Sequence, residues 1–435
     1  MEGGRCTLDF TNTTLARNPQ CSKGRHVMKR RKFLKDISRQ ALAVASAATA
    51  LRGGKRFAAT VELPVEWIDP ATAKGWQERW EKSILERSAK NRFCDTEMAE
   101  ELGWLVSPFL DGFYYGYLAT HDSKWVERLV DWADSCIRRG VKEPDGYLGW
   151  PKVSAQTEGF DYDSMLGEAM MLRPMVLMAN EILKTPALKV NWEGKAQAYL
   201  ELAERTFEKW DSRDAWRDAK MGGLWVVQYF GIEPATGQWT EGYARRKSEA
   251  FSHPDNKENL IALWLITMFD VTGKPVYRER CKKWWQLMKS RMKMREGEKY
   301  LVWDYWDPAG PWDYKPDGSA KHWVGVHPNG GYYAIDLEGI VAAFEHHLVF
   351  SRNDIHRLIS TNRDFMWNQQ ITGAKFQRID GGQPDHRWPN SPGVLWDALL
   401  PYDKTLRKIF IANHRPDSWG GLRTTPWFLS LAARH

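Results

Sequence analysis

The sequence predicts an all-α fold, arranged as an α/α toroid, which is an incomplete barrel of about six or seven helical hairpins. Three observations lead to this prediction. Apolar residues recur at helical spacing along most of the chain, strand-like alternation is confined to short pieces, and short turns alternate with long loops rich in Trp, Gly, Pro and Asp. A multi-helix bundle of another topology is the alternative that these observations leave open.

Ten segments carry the helical pattern, and the residues around them fit helix ends. Asp122 and Ser123 precede one of these segments, and Gly140 follows it. Two stretches alternate like strands, at 224–229 and 299–303. The ten predicted helices are 74–90, 97–119, 123–139, 163–184, 193–211, 255–271, 275–294, 331–349, 353–369 and 403–413, with shorter candidates at 214–230, 393–400 and 426–433.

The N-terminal segment has the pattern of an export signal. Arg30 and Arg31 lie in the basic sequence Lys-Arg-Arg-Lys-Phe-Leu-Lys, and an Ala-rich apolar run follows at 41–51. That run is shorter than the about 20 residues that a membrane-spanning helix needs. The segment resembles a twin-arginine signal, which implies export of the folded protein to the periplasm or the medium. We expect 28–55 to be the signal peptide and 1–27 to be a disordered or non-native extension.

The charge of the chain follows the same division. The full sequence has a formal net charge of +7 and a pI near 9.0. Residues 1–60 hold 13 Lys and Arg against 3 Asp and Glu, which leaves residues 61–435 with 49 basic and 52 acidic side chains. We predict that 61–435 is a single, nearly neutral domain, so a nucleic-acid partner is not expected. Its apolar runs are too short for an integral membrane span.

The cysteine and histidine patterns indicate no metal site. Cys94, Cys136 and Cys281 are the cysteines of residues 61–435, and they are widely spaced without a C-x-x-C pair. One disulfide between two of them stays open at this point. His346 and His347 are adjacent on a predicted helix, so their side chains diverge, unlike a chelating pair four residues apart. We predict that the protein uses no metal and no cofactor.

Tryptophan is unusually frequent, with 24 residues. Some of these tryptophans lie in apolar helical segments and are predicted core residues. Others lie in loops beside Asp, Gly and Pro, where an indole can offer a broad apolar face. In an exported protein, the flat C–H faces of sugar rings are a natural ligand for such a face, although core packing is the alternative. The loop tryptophans expected to bind substrate are Trp150, Trp306 and Trp323.

Three loops, at 249–259, 317–339 and 375–390, carry polar side chains suited to chemistry. Helix capping or a solvated loop is the alternative explanation for each. Three such loops in one Trp-rich exported chain nevertheless favour a binding or catalytic site. The polar residues of the first loop are His253, Asn256 and Asn259; those of the second are His322, His327, Asn329, Tyr332 and Tyr333; those of the third are Arg378, Asp380, His386 and Arg387.

The segment HPNGGYYAIDLEGIVAAFEHHLVF, residues 327–350, resembles α/α-toroid polysaccharide lyases that cleave uronic-acid polymers, and the glucuronan- and alginate-cleaving type is most similar. The likeness extends loosely over 61–435, and its specific part is one loop and one helix. It implies an exported enzyme that cleaves an anionic polysaccharide by β-elimination. In such lyases an Asn, a His, an Arg and a Tyr share the site, which implies that Asn256, His327, Arg378 and Tyr333 are catalytic here.

β-Elimination sets requirements that these residue types can meet. Removal of the C5 proton is difficult while the adjacent carboxylate is charged, so hydrogen-bond donors must stabilise the enolate-like charge. We expect Asn256 and Arg378 to neutralise the carboxylate, His327 to be neutraliser or base, and Tyr333, or Tyr332, to be acid and base. A tyrosine base needs cationic neighbours that lower its pKa from about 10. The residues expected to bind substrate are Tyr332, His322, His253, Trp323, Trp306, Trp150, His386 and Arg387.

Two other functions fit parts of the sequence. A glycoside hydrolase on the same fold would need two carboxyl groups across the scissile bond, about 5–10 Å apart. A non-catalytic periplasmic glycan-binding protein would keep the tryptophans but would not need the Tyr, His, Arg and Asn residues. The candidate hydrolase carboxyl groups are Asp161, Asp163, Glu168, Asp304, Asp307, Asp313 and Asp336.

Overall fold

The computed structural model describes residues 67–153, 161–227, 231–232, 250–382 and 393–433. These residues belong to a compact unit that spans Val61–His435. The twin-arginine segment, His386 and Arg387 lie outside the described residues, so the predictions made for them stay predictions.

The described residues are mostly helical, which confirms the all-α part of the predicted fold. Several helix ends have the expected caps. Asp69 accepts a hydrogen bond from the backbone N–H of Thr72, and Gly273 ends another helix with φ 69°. The helices are α1 (Pro70–Lys90), α2 (Ser107–Thr120), α3 (Lys124–Arg139), α4 (Met165–Lys184), α5 (Pro186–Ser212), α6 (Asp255–Thr272), α7 (Pro275–Arg291), α8 (Gly331–Glu345), α9 (Arg352–Ser360), α10 (Lys404–Asn413) and α11 (Gly421–Ala432).

Short antiparallel strands connect some of these helices. In one sheet β5 pairs with β6, which pairs with β8, and Val226 lies opposite Ser252. This pairing places His253 directly before α6. The strands are β1 (Val141–Lys142), β2 (Leu148–Gly149), β3 (Lys152–Val153), β4 (Asp161–Tyr162), β5 (Trp216–Ala219), β6 (Gly222–Val227), β7 (Gly231–Ile232), β8 (Phe251–Ser252), β9 (Lys293–Arg295) and β10 (Tyr300–Val302).

The helix predicted for 214–230 is wrong, because the chain forms β5 and β6 there. Gly222 and Gly223 interrupt the helical pattern, and glycine is unfavourable inside a helix. A Cβ atom on Gly222 would lie 2.0 Å from the backbone oxygen of Lys283, so the hairpin approaches α7 more closely than another residue could. The apolar residues 224–226 become buried against α7 in this arrangement.

Two further predicted helices differ in their extent. The prediction for 353–369 becomes α9, which ends at Ser360 and continues as a π-helical turn at Thr361–Met366. The prediction for 393–400 yields only a 3-10 turn, Asp397–Leu399. The other long helices overlap their predicted ranges, and the free thiols of Cys94, Cys136 and Cys281 show that no disulfide joins these three residues.

The helices pack against one another in a regular order. α11 packs on α2, α2 on α4, α4 on α6 and α6 on α8, while α3, α5 and α7 each pack on the helix before them. Arg423 of α11 forms a bidentate hydrogen-bonded ion pair with Glu338 of α8. Of the described helices, none is both long and apolar enough to cross a membrane.

The core contains much of the tryptophan. Twelve described tryptophans are fully buried, which confirms core packing for Trp264, Trp284 and Trp285. Asn259 accepts hydrogen bonds at its Oδ1 from the indole N–H groups of Trp284 and Trp285, both at 3.0 Å. The twelve are Trp80, Trp125, Trp132, Trp150, Trp210, Trp225, Trp264, Trp284, Trp285, Trp303, Trp306 and Trp396.

Candidate functional site

Four side chains meet beside the N-terminal ends of α6 and α8, and we call them the His–Tyr cluster: Tyr305, His322, His327 and Tyr332. The ring centroid of Tyr305 lies 4.7 Å from that of His327, 5.2 Å from that of Tyr332 and 5.9 Å from that of His322. The rings of His327 and Tyr332 are also 4.7 Å apart. The structure therefore brings together three residues that the sequence placed in one loop, and adds Tyr305.

A buried aspartate holds the loop that carries this cluster. Asp313 is fully buried and accepts hydrogen bonds from the backbone N–H groups of Ser252 and Ala309, both at 2.7 Å. Its backbone oxygen accepts the N–H of Lys321 at 2.8 Å, and the Lys321 ammonium donates to the oxygen of Ala250 at 3.1 Å. These bonds hold the segment just before His322 against β8, so the backbone that carries the imidazole is fixed in position.

His327 is held in one neutral form. Its Nδ1 atom accepts a hydrogen bond from the backbone N–H of Asn329 at 2.9 Å. Since a backbone N–H can only donate, Nδ1 is unprotonated and the ring proton resides on Nε2. Burial, and then the nearby His322, lowers the pKa of His327 to about 4, which keeps the ring neutral near pH 7. His327 is therefore built to donate a hydrogen bond through Nε2.

The adjacent tyrosines occupy different environments. Tyr333 is 2% exposed, and its hydroxyl accepts the backbone N–H of His327 at 2.9 Å. Burial raises the pKa of Tyr333, so this hydroxyl resists ionisation. Tyr332 is partly exposed, and burial and then Glu100 raise its pKa. Both tyrosines keep their protons. Because only the side chain of Tyr332 is partly exposed, Tyr332 is the tyrosine that a substrate can reach as a proton donor.

The first predicted loop contributes buried residues. His253 is 7% exposed, and burial, assisted by Lys257, lowers its pKa to about 3. Asn256 is 1% exposed, and neither polar atom of its carboxamide has a hydrogen-bond partner among the described residues. Asp255 pairs with Arg291 at 3.3 Å, and burial raises the pKa of Asp255 to about 7. Asn256 and His253 are therefore both buried in this structure, and the roles predicted for them toward a substrate stay predictions.

The third predicted loop touches the second through glycines. A Cβ atom on Gly330 would lie 2.5 Å from the Cα atom of Gly393, and one on Gly393 would lie 2.1 Å from the backbone oxygen of Gln377. Arg378 follows Gln377 and forms a bidentate ion pair with Asp380, with N–O distances of 3.1 and 2.5 Å. The guanidinium predicted to neutralise a substrate carboxylate is thus paired with a carboxylate of the protein.

The loop tryptophans divide into one exposed and two buried residues. Trp323 is 50% exposed, and its ring centroid lies 6.0 Å from that of His327. Trp150 and Trp306 are fully buried, and their indole N–H groups donate to the backbone oxygens of Cys136 and Ser252. The prediction that Trp150 and Trp306 stack on a substrate is wrong, because each is used to anchor a loop to the core.

Most carboxyl groups proposed for a hydrolase are used inside the protein. Asp163 and Glu168 are fully buried and accept hydrogen bonds from the ammonium of Lys209 at 2.6 and 2.5 Å. Asp336 is buried and accepts from Asn259 and from Trp303. Asp313 holds the loop described above.

Two of the proposed carboxyl groups, Asp304 and Asp307, remain partly accessible. Asp304 is paired with Lys293 at 2.7 Å.

Sequence reasoning missed two neighbours of the cluster. Tyr305 lies in the aromatic segment 303–306, where its contact with α8 has no local signal. Glu100 lies far from the other residues in sequence and accepts hydrogen bonds from the ammonium of Lys257 at 2.7 Å and the indole of Trp104 at 2.9 Å. In the described part of the chain, no three His, Cys, Asp or Glu side chains are grouped so that they could hold a metal ion.

Comparison of the chain with known protein families and with curated proteins found no match.

Proposed function

We propose that this protein is an exported polysaccharide lyase on an α/α toroid, which cleaves a uronic-acid polymer by β-elimination. The order of helix packing supports the toroid. The helices α11, α2, α4, α6 and α8 pack in series, and the Arg423–Glu338 ion pair joins the last helix of this series to the first. A series that returns to its start is the arrangement expected of a ring of hairpins.

The position of the His–Tyr cluster suits an anionic substrate. It lies beside the first residues of α6 and α8, where the helix dipole places partial positive charge. The backbone N–H groups of Asp255 and Gly331 at these ends already donate, to the oxygen of Tyr305 at 3.1 Å and to Oδ1 of Asn329 at 3.0 Å. A uronate carboxylate placed there would receive the Nε2–H of His327 as a donor. Removal of the C5 proton builds negative charge on that carboxylate, so a fixed neutral donor stabilises the transition state more than the ground state.

Tyr332 is assigned as the acid that protonates the leaving glycosidic oxygen. Its raised pKa means that it carries its proton near pH 7, and its partial exposure lets a substrate approach the hydroxyl. The exposed face of Trp323 next to His327 is suited to stack on a sugar ring. The tyrosine acid and the histidine donor lie side by side, with ring centroids 4.7 Å apart, so one sugar could contact both.

One observation carries the proposal: a neutral histidine with a fixed Nε2–H donor packs against a partly exposed, protonated tyrosine. A hydrolase needs a pair of accessible carboxyl groups instead. Among the predicted hydrolase carboxyl groups whose burial the structure describes, only Asp304 and Asp307 are partly accessible. A glycan-binding protein has no need for the two fixed protonation states.

The experiment that tests the proposal is a screen of purified protein against glucuronan, alginate and a neutral glucan. β-Elimination leaves a C4=C5 double bond conjugated with the carboxylate, so the ultraviolet absorbance of the product should rise with a uronate polymer and stay flat with the neutral glucan. Release of reducing ends without this absorbance would favour a hydrolase, and Asp307→Asn would then be the variant to examine. Binding of polymers without any cleavage would favour the glycan-binding function.

A further inference from the structure

We propose that His322 is the base that removes the C5 proton, an assignment that rests on the proposed lyase function. Its Nδ1 atom lies 3.1 Å from the backbone oxygen of Trp323. A carbonyl oxygen can only accept a hydrogen bond, so Nδ1 carries the proton in the neutral ring. The lone pair of the imidazole is therefore on Nε2, which is the nitrogen directed away from its own backbone.

The backbone contacts of His322 and His327 favour opposite tautomers. The same kind of backbone contact fixes each ring, but a carbonyl faces Nδ1 of His322 whereas an N–H faces Nδ1 of His327. His322 consequently offers an acceptor at Nε2, and His327 offers a donor at Nε2. Both rings pack on Tyr305. One sugar that contacts both imidazoles could meet a proton acceptor and a carboxylate donor at the same time.

The surroundings of His322 keep its ring in place without burying it. Aromatic rings of Phe251 and Trp306 lie 6.0 and 5.5 Å from its centroid, and the ring itself remains partly exposed. Lys321 is tied by hydrogen bonds to Asp313 and Ala250. A base must be positioned before the substrate arrives, and the aromatic rings and the bonded Lys321 position the imidazole of His322.

The other nearby groups are less suited to accept the proton. Tyr332 keeps its own proton because its pKa is raised. His253 is buried. Glu100 already accepts two hydrogen bonds at Oε1, from Lys257 and Trp104. Of the described residues around Tyr305, His322 combines a fixed lone pair with access to the surface.

The step balances with these residues alone. Nε2 of His322 takes the C5 proton, and the electrons of the C5–H bond form the C4=C5 double bond. The bond between C4 and the glycosidic oxygen breaks, and that oxygen takes the proton of the Tyr332 hydroxyl. Transfer of a proton from the imidazolium of His322 to the phenolate of Tyr332, through solvent, then restores both groups.

The first test measures the ring protons directly and needs no substrate. Protein labelled with ¹⁵N in histidine rings would be examined by long-range ¹H–¹⁵N correlation, with His322→Ala and His327→Ala identifying the two signals. We expect His322 with its proton on Nδ1 and His327 with its proton on Nε2. A neutral His322 ring protonated on Nε2 would overturn the assignment, since Nε2 would then have no lone pair to accept the C5 proton.

The second test uses the uronate polymer that the wild type cleaves. His322→Ala should lower turnover by about 10²–10⁴ with an unchanged melting temperature, and added imidazole should restore part of the rate. His356→Ala, at an exposed position of α9, is the matched control and should retain full activity. A fully active His322→Ala contradicts the base assignment alone, whereas a wild type that makes no unsaturated product from any uronate polymer contradicts the lyase proposal itself.

Discussion

Tyr332 and Tyr333 are neighbours in the chain, yet their hydroxyl groups face different surroundings. Tyr332→Phe should lower turnover by about 10²–10⁴ without a change in melting temperature, because it removes an acid and keeps the ring. Tyr333→Phe should instead cost about 1 kcal/mol of stability, since the backbone N–H of His327 would lose its buried acceptor. Initial rate and thermal unfolding measured on the same preparations distinguish the two effects.

The opposite result would restore the role first predicted for Tyr333. If Tyr333→Phe abolished turnover while Tyr332→Phe stayed active and stable, the acid would be the buried tyrosine. Full activity in both variants would mean that neither hydroxyl transfers a proton.

At the level of single residues, the sequence predicted which residues of the second loop lie together. It did not predict which residues from other segments are buried. His322, His327 and Tyr332 could be grouped because they are close in one glycine-rich loop. The burial of Asn256 depends on the packing of distant segments around the start of α6, and the core position of Trp150 depends on the carbonyl of Cys136. No local pattern encodes such contacts.

At the level of elements, a buried ion cluster joins α4, α5 and the segment before β2. Lys209 of α5 is fully buried and donates to Asp163 and Glu168. Lys209→Met should destabilise the protein by about 3–5 kcal/mol, because it removes the cation that Glu168 contacts and leaves Asp163 with the more distant Arg213, at 3.4 Å. Lys195→Met, which removes a half-exposed partner of Asp134, is the matched control and should cost about 0–1 kcal/mol.

Urea unfolding monitored by circular dichroism measures both variants. Equal stability losses for Lys209→Met and Lys195→Met would show that the buried cluster contributes no more than a surface pair.

The same cluster should make stability depend on pH. Burial, and then the neighbouring Asp163, raises the pKa of Glu143 from its usual value of 4.5 to about 8. The folded protein therefore binds more protons than the unfolded chain between these values, so this group makes the free energy of unfolding fall as pH rises through that window. Glu143→Gln, which mimics the protonated form, should reduce that fall. Urea titrations at several pH values between about 5 and 8 give the slope.

A slope that is identical in the wild type and in Glu143→Gln would show that Glu143 does not bind the extra proton. Glu193→Gln, at an exposed position of α5, is the control and should leave the slope unchanged.

Local patterns predicted most of the helices and also parts of two strands, because the stretches 224–229 and 299–303 overlap β6 and β10. Helical periodicity and caps are local, so the ranges of α3 and α6 follow closely from apolar spacing and from residues such as Gly140 and Gly273. The β5–β6 hairpin instead depends on the approach of Gly222 to α7, a contact with a residue about sixty positions away. A contact between residues so far apart in sequence cannot be predicted from a short window of neighbouring residues.

For the whole molecule, the first prediction concerns export. Substitution of both Arg30 and Arg31 by Lys should leave the protein in the cytoplasm with residues 28–50 still attached, because the twin-arginine translocase reads the arginine pair. Cell fractionation with mass determination of the N terminus measures both outcomes. Normal export of this variant would remove the twin-arginine interpretation, and substitution of Arg5 and Arg17 by Lys is the control with the same loss of arginines.

The order in which the helices pack was harder to predict from the sequence than the positions of the helices. Hairpins such as α4–α5 and α6–α7 follow from short connections, which favour antiparallel neighbours. The contact of α11 with α2 and the ion pair of Arg423 with Glu338 join segments that are distant in sequence. Sequence therefore predicted the hairpins, while these contacts between distant helices depend on side chains from both ends of the domain.

The twelve buried tryptophans have a spectroscopic consequence. Indoles enclosed in an apolar core emit at shorter wavelengths than indoles in water, so folding should give an intense, blue-shifted fluorescence band that moves to the red on denaturation. Trp323 and Trp419 are the most exposed of the described tryptophans, at 50% and 39%, and acrylamide should quench them first. A polymer that stacks on Trp323 should shield it, so added polymer should reduce acrylamide quenching in the wild type but not in Trp323→Phe.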